Sequence, residues 1–409
     1  MKRARPLGAN REAEPTAGEV STGRVPVRSL LRYGDFRVGV SSDDRSHLAW
    51  LEEFLAPSFS VERRAPHTPS DANCEVALRL DAREYERLRA RGPAGGRVDL
   101  MALDVRIITL PLWSSGSPSR VVIDEESGVF FEVDQKSRRI GVLASSAESL
   151  SRAGYAVRVA LMRAVRELTM NCVSRDGVFL HAAAFAVGDA GVLVAGPKRA
   201  GKTTLLLHAL SSISARLLAN DRVFVSFSED GPAVRGMPTI VTIREGTLSL
   251  FPGIRANLMH RGFHTGLTVA EAAGLTEAGS AATVGPASDG RFGLTGKQLC
   301  TLMGTEQVPR MRLDGILFPR VCRHEGPMRL ERMTASKALR RLEGSVFGAG
   351  RRPATDALFD LDADSGRGAA DPLAACRRLA AELPCFVCDV GPRSYELHAS
   401  ADALIERFG

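Results

Sequence analysis

The chain has 409 residues, 44% hydrophobic and 25% charged. At roughly 150 residues per domain that predicts two or three soluble globular domains with cores of their own. The apolar runs fall short of the roughly 18 residues that cross a bilayer, and residues 1–30 carry Pro6, Pro15 and Pro26 but no apolar signal core. Seven cysteines without framework spacing fit a reducing cytoplasm. Secretion, membrane spanning and a disulfide scaffold are set aside, and a cytoplasmic location is expected. The net charge of +7 is almost all arginine, with six lysines among 54 basic residues. Aromatics are 6% and the charge is spread, so nucleic acid is not an expected partner.

Residues 1–32 mix Arg, Glu, Pro and Gly and read as a disordered arm. The first strand is expected at Phe36 to Val40, followed by a helix over His47 to Leu55 with Asp43 or Asp44 as its cap. The pattern repeats at Cys74 to Leu78 and Asp81 to Arg91, and alternating strands fill Val98 to Leu143. Residues 33–146 thus read as an α+β module suited to packing or partner recognition. Ala147 to Cys172 reads as a helix with an apolar stripe at Val157, Leu161, Val165 and Leu168. Two apolar runs, Val178 to Phe185 and Gly191 to Ala195, are expected to form a hairpin around Gly188. Thr239 to Leu250 is strand-like. Gly253 to Gly293 is rich in Gly, Ala and Thr and reads as a mobile, lid-like insertion. Helices at Ala335 to Leu342 and Pro372 to Leu383, a loop over Gly348 to Asp371 and a final strand and helix close the chain.

The chemistry-bearing segment is Gly196-Pro197-Lys198-Arg199-Ala200-Gly201-Lys202-Thr203, which satisfies G-x-x-x-x-G-K-[ST] at every fixed position. The glycines permit a loop whose N–H groups converge on an anion, and the helix beginning near Lys202 adds its positive end. Lys202 reaches the outer phosphates and Thr203 is placed to ligand Mg²⁺; Thr204 continues into Leu-Leu-Leu, a helix. The expected ligands are ATP and Mg²⁺. No guanine-reading N-K-x-D and no transporter-type signature accompany the loop. The nearest acidic element downstream is Leu217-Leu-Ala-Asn220-Asp221-Arg222-Val223.

From Gly177 to Phe227 the chain resembles the HPr kinase/phosphorylase-like serine kinases, which include kinases that tail-modify lasso peptide precursors. The resemblance rests on His181, fifteen positions before Gly196, on the loop, and on the Ala-Asn-Asp-Arg-Val element. It is looser over Val241 to Pro252 and Leu313 to Leu342. It implies an α/β (α+β) fold with an HPr-kinase and PEP-carboxykinase type P-loop core built on a mainly antiparallel sheet, occupying residues 147–409. It also implies a peptide or small-protein acceptor phosphorylated on a hydroxyl, serine in the family, with Asp221 taking the proton and sharing the metal with Thr203, and His181 beside it. Two positions depart from the family: Lys198-Arg199-Ala200 replaces its Ser and Gly, and Asn220 replaces the first aspartate of its pair.

Phosphoryl transfer needs a cation beyond Lys202. Lys198, Arg199, Arg244, Arg310, Arg312 and Arg320 are candidates, with Arg320 preferred because it ends the apolar run Ile316-Leu317-Phe318. Two other functions stay open: an ATP-binding regulatory relative that has lost catalysis through Asn220, and a small-molecule hydroxyl kinase. A homo-oligomer also stays open. Cys385-Phe-Val-Cys388 has metal-knuckle spacing but reads as a buried strand, and Asp360-Leu-Asp362-Ala-Asp364 as an acidic loop rather than a calcium site.

Overall fold

The computed structural model describes residues 26–65, 71–93, 97–101, 107–114, 119–125, 127–145, 152–174, 176–213, 215–277, 290–347, 357–361, 371–391, 393–396 and 398–408. The chain enters as β1 (Val27–Tyr33) and returns through Gly34, at φ +63°, into β2 (Phe36–Ser42). The first strand therefore precedes the expected start at Phe36, because Leu30, Leu31 and Tyr33 are all buried. The rest of the expected arm, 1–25, lies outside the described residues. Asp44 accepts from the Ser46 N–H and caps α1 (Arg45–Leu55). β3 (Ser60–Arg64), β4 (Cys74–Leu80) and α2 (Ala82–Arg91), capped by Asp81, follow. β5 (Arg97–Met101), β6 (Ile107–Ser114), β7 (Ser119–Asp124), β8 (Val129–Asp134) and β9 (Arg139–Ala144) complete a nine-stranded sheet. Its order is β3-β1-β2-β4-β9-β8-β7-β6-β5, with β2, β4 and β9 parallel. α3 (Arg152–Val173) lays Val157, Leu161, Val165 and Leu168 into the same core as Trp50 and Leu51 of α1 and Val38 and Val76 of the sheet.

A second nine-stranded sheet carries the glycine loop. β10 (Gly177–Leu180), β11 (Ala182–Val187) and β12 (Ala190–Ala195) precede it, and α4 (Lys202–Ser212) follows it. The expected first arm of the hairpin is broken at His181: β10 pairs with a later strand, and β11 alone forms the hairpin with β12. The break has a cause, since the His181 N–H donates to Ser345 O at 2.6 Å instead of a ladder partner. β13 (Arg216–Ala219), β14 (Val223–Ser228) and β15 (Gly231–Gly236) lead to a separate two-stranded unit of β16 (Val241–Arg244) and, after three helices, β17 (Arg291–Leu294). Those helices are the short α5 (Glu245–Leu248), α6 (Pro252–Arg261) and α7 (Val269–Glu277). The strand expected over Thr239 to Leu250 thus ends at Arg244.

α8 (Gly296–Met303), β18 (Arg310–Val321), β19 (Arg329–Arg332), α9 (Ala335–Glu343), α10 (Pro372–Glu382), β20 (Cys385–Val390) and α11 (His398–Phe408) finish the chain. Along the sheet the order is β10-β14-β15-β18-β12-β11-β13, with β20 on β18 and β19 on β20. Pairing is antiparallel except for β12 with β18 and β18 with β20. Both faces are covered: Val192 and Val194 of β12 face the core shared with α4 and α11, while Leu193 and Ala195 face α9 and α10. That is why Val192 to Ala195 reads as an unbroken apolar run rather than an alternating one.

The expected mobile insertion at 253–293 is corrected over its first part. Leu258, Phe263, Leu267 and Ala272 are buried in the core with α4 and α8. Trp50 Nε1 donates to Thr265 O at 3.2 Å, and Arg158 pairs with Glu271 at 2.9 Å and donates to Gly266 O. Spaced apolar residues between the glycines supply burial that a count of composition hides. Residues 278–289 of that segment, and most of the loop expected over 348–371 with its acidic run, lie outside the described residues. Among the described residues no helix is long and apolar enough to cross a membrane.

Candidate functional site

β12 delivers the chain at the sheet's edge into Gly196, whose φ of +149° is open only to glycine. Arg199 at +72° and Gly201 at +98° turn the loop twice more through left-handed conformations before α4 begins. Gly201 stands at the N-cap of α4 and has no side chain to cap it, so the first-turn N–H groups at Lys202 and Thr203 lack the partner an ordinary helix start supplies. The ammonium of Lys202 folds back over the loop and donates to Gly196 O at 2.8 Å and Pro197 O at 3.1 Å. Burial lowers its pKa, and the nearby Asp221 charge opposes the shift.

The loop opens onto a cavity of about 520 Å³, a size that takes a nucleotide-sized ligand. Lys198, Arg199 and Lys202 line it from the loop, Arg166 and Arg222 from the floor, and Arg244 and Arg291 from the opposite rim. Asp221 is the one carboxylate among the lining residues. This excess of positive charge selects an anionic ligand. Lys198, Arg199 and Arg244 are exposed and form no ion pair among the described residues.

Asp221 follows β13 and has φ +78°, a conformation that costs of order 1–3 kcal/mol for a residue with a side chain. The turn is held from several sides. The Arg222 N–H donates to Asn220 O at 3.0 Å, Thr239 Oγ1 donates to Asn220 O at 2.7 Å, and the Met237 N–H donates to Arg222 O at 3.1 Å. His181 Nε2 lies 2.9 Å from Asp221 Oδ1. Burial pushes the Asp221 carboxyl up, but the His181 hydrogen bond and charge, with Arg222 and Lys202, outweigh it and hold the group below the ordinary aspartate range. Its side chain keeps 41% of its exposure, so the carboxylate remains open to a ligand. Asn220 meets the loop directly, with Thr203 Oγ1 donating to its Oδ1 at 3.4 Å.

Beneath the turn lies an ionic triad that the sequence did not single out. Glu167 Oε1 accepts from Arg166 at 2.8 and 3.1 Å and from Arg222 at 2.9 Å. All three residues are at most 4% exposed. Burial raises the Glu167 carboxyl, yet Arg222 and Arg166 together bring it below the usual glutamate range. Two cations share one anion, so the floor carries a net positive charge. The adjacent opposite charges Arg166 and Glu167, set in the apolar stretch of α3, were the available signal.

The structure brings His181, Asn220 and Asp221 and the loop residues Lys198, Arg199, Gly201, Lys202, Thr203 and Thr204 around one cavity, while Gly196, Pro197, Ala200 and Arg320 are not among its lining residues. That guanidinium lies outside the cavity and grips Asp389 with bonds of 2.6 and 2.5 Å, because β18 and β20 place the two residues in register. Arg312 likewise pairs with Asp314 at 2.6 Å, and Arg310 lies opposite Arg235 on β15. The cations facing the loop are instead Arg244 and Arg291, register partners in β16 and β17. The strands alternate, with Val241, Ile243 and Phe292 buried, which turns Arg244 and Arg291 outward. Cys385 and Cys388 are buried free thiols, and among the described residues no group of three His, Cys, Asp or Glu side chains could hold a metal.

No protein-family model matches the chain, and no curated protein matches it. Among solved structures it is similar to the HPr(Ser) kinase/phosphatase from Coxiella burnetii, at 10% identity and a TM-score of 0.24, over 56% of this chain and 99% of that one.

Proposed function

We propose that the chain is an ATP- and Mg²⁺-dependent kinase that phosphorylates a hydroxyl, serine in the first instance, on a peptide or small protein. The observation that carries this is the uncapped start of α4 behind a left-handed glycine loop, opening on a strongly cationic cavity whose single lining carboxylate is hydrogen-bonded to a histidine. The loop N–H groups and Lys202 hold the triphosphate, and Arg244 and Arg291 take the charge-stabilising part first expected of Arg320. The residues fit magnesium's habit of binding through one or two protein oxygens and the substrate's phosphates: the Thr203 hydroxyl and the Asp221 carboxylate both line the cavity. When bound, the ion neutralises charge on the phosphates. Asp221, ionised across neutral pH, orients the acceptor hydroxyl and receives its proton, with His181 beside it to share the load.

Residues 147–409 make up the catalytic part of this proposal and 33–146 a module for partner recognition, behind an arm at 1–32. A second reading is favoured by one contact, the Thr203 hydroxyl on the Asn220 amide, where the family carries a carboxylate: a nucleotide-gated binding protein without turnover. Incubation with ATP, Mg²⁺ and serine-containing peptides, followed by mass spectrometry, tests the first reading. The mass of a phosphoryl group should appear on peptide and vanish in Lys202→Ala. Full retention in Asp221→Ala would overturn the role given to Asp221.

A further inference from the structure

β18 is the parallel neighbour of both β12 and β20, so the carboxyl ends of all three strands lie on one edge of the sheet. In sheets of this kind ligands sit outside those ends. The glycine loop leaves β12 between two flanks. On the side of β11 and β13 stand His181, Asn220 and Asp221, the end at which a phosphoryl group would be transferred. On the other side β18 ends in Pro319, Arg320 and Val321.

That second flank touches the loop. A methyl group placed on Gly201 would lie 3.8 Å from Val321 Cγ2, 3.9 Å from Pro319 Cβ and 3.9 Å from Tyr395 Oη. Val321 is 68% exposed, the most exposed large apolar side chain among the described residues, with Ile405 next at 45%. Tyr395 is fixed from behind, its ring 5.4 Å from that of His208 and 5.9 Å from that of Phe251. The Arg320–Asp389 pair borders the shelf and is self-satisfied. An apolar shelf with a phenol at its edge, adjoining a polyphosphate cradle, suits a flat ring system that has apolar faces and a polar rim.

We infer that the nucleoside end of the phosphoryl donor lies across Val321 and the edge of Tyr395, over the buried Pro319, at the carboxyl ends of β18 and β20. The donor is then a nucleoside triphosphate and not inorganic pyrophosphate or polyphosphate. This rests on the reading of the glycine loop as a triphosphate site and adds which side of it the nucleoside occupies.

The test compares two probes on the full-length protein, Mg²⁺-ATP and Mg²⁺-tripolyphosphate, by titration calorimetry. Val321→Asn keeps the side chain's size and adds no charge, so it should weaken ATP by about tenfold, the worth of one buried valine side chain, and leave tripolyphosphate within about twofold. Val321→Phe should move ATP in the opposite direction, again without effect on tripolyphosphate. Melting curves confirm that both variants fold, as expected for so exposed a position. Unchanged ATP affinity in both variants overturns the shelf while the triphosphate site stands. Equal weakening of both probes also overturns it, because Val321 would then be supporting the loop. Absence of binding of either probe by the unaltered protein overturns the triphosphate reading itself, and the shelf with it.

Discussion

Replacing Glu167 by Gln removes the one anion between two buried guanidiniums. The carboxylate accepts three hydrogen bonds at 2.8 to 3.1 Å, and its residue is 1% exposed. Breaking a buried ion pair by neutralising one partner costs about 3–5 kcal/mol, most of it from the charge left unpaired. Here Arg166 and Arg222 are themselves buried, so the expected loss falls in that range, about 3–5 kcal/mol. Guanidinium denaturation measures it as a fall in midpoint at unchanged slope. The same change adds a positive charge beneath the anion cavity, so saturating tripolyphosphate should raise the melting temperature of Glu167→Gln more than that of the unaltered protein. A loss below about 1 kcal/mol, or an equal rise with tripolyphosphate, would show that the two arginines find another counter-charge, and the buried net cation would have to be abandoned.

Asn220→Asp places a carboxylate next to the Thr203 hydroxyl; a large gain of peptide phosphorylation from a near-silent parent favours the binding-protein reading, and an already active parent removes it. His208 is 1% exposed, and burial holds its pKa down to about 4 from 6.5. The unfolded chain therefore binds the proton first, and stability should fall as pH drops from about 6.5 to about 4, by up to roughly 3 kcal/mol; His208→Gln should flatten that slope, and an unchanged slope refutes the assignment. Amide exchange across residues 252–261 and 269–277 should be slow without any ligand, because Leu258, Leu267 and Ala272 are core residues. Exchange at the rate of an unfolded chain there would return that segment to the lid first expected of it.

The sequence made local features legible and long-range ones hard to see. The glycine loop stands out in the sequence because phosphate binding of that kind needs residue types at fixed spacing within eight positions, and His181 and Asp221 stand out only through the family resemblance; the structure places all three on one cavity. The triad does not stand out: Glu167 lies 55 residues from Arg222, and only the packing of α3 against the Asn220–Arg222 turn brings them together. Arg320 was preferred among 48 arginines for ending an apolar run, but the parallel register of β18 and β20 gives it Asp389. Arg291 could not be singled out, because it reaches the cavity rim only by pairing with Arg244 across a two-stranded ribbon whose halves are nearly 50 residues apart. In the N-terminal half the alternating patterns located strands and helices, while the parallel order of β2, β4 and β9 depends on which strands meet, a choice no single segment encodes.

The central claim is that Gly196 to Thr204 cradles the triphosphate of a phosphoryl donor. Calorimetric titration of the full-length protein with Mg²⁺-ATP, alongside Lys202→Ala and Gly201→Ala, tests it most directly. Lys202→Ala removes the ammonium from the loop, and Gly201→Ala imposes a side chain at φ +98°. One-to-one binding by the unaltered protein, abolished in both variants, is the predicted result. Equal binding by all three proteins, or none by the unaltered one, would contradict it.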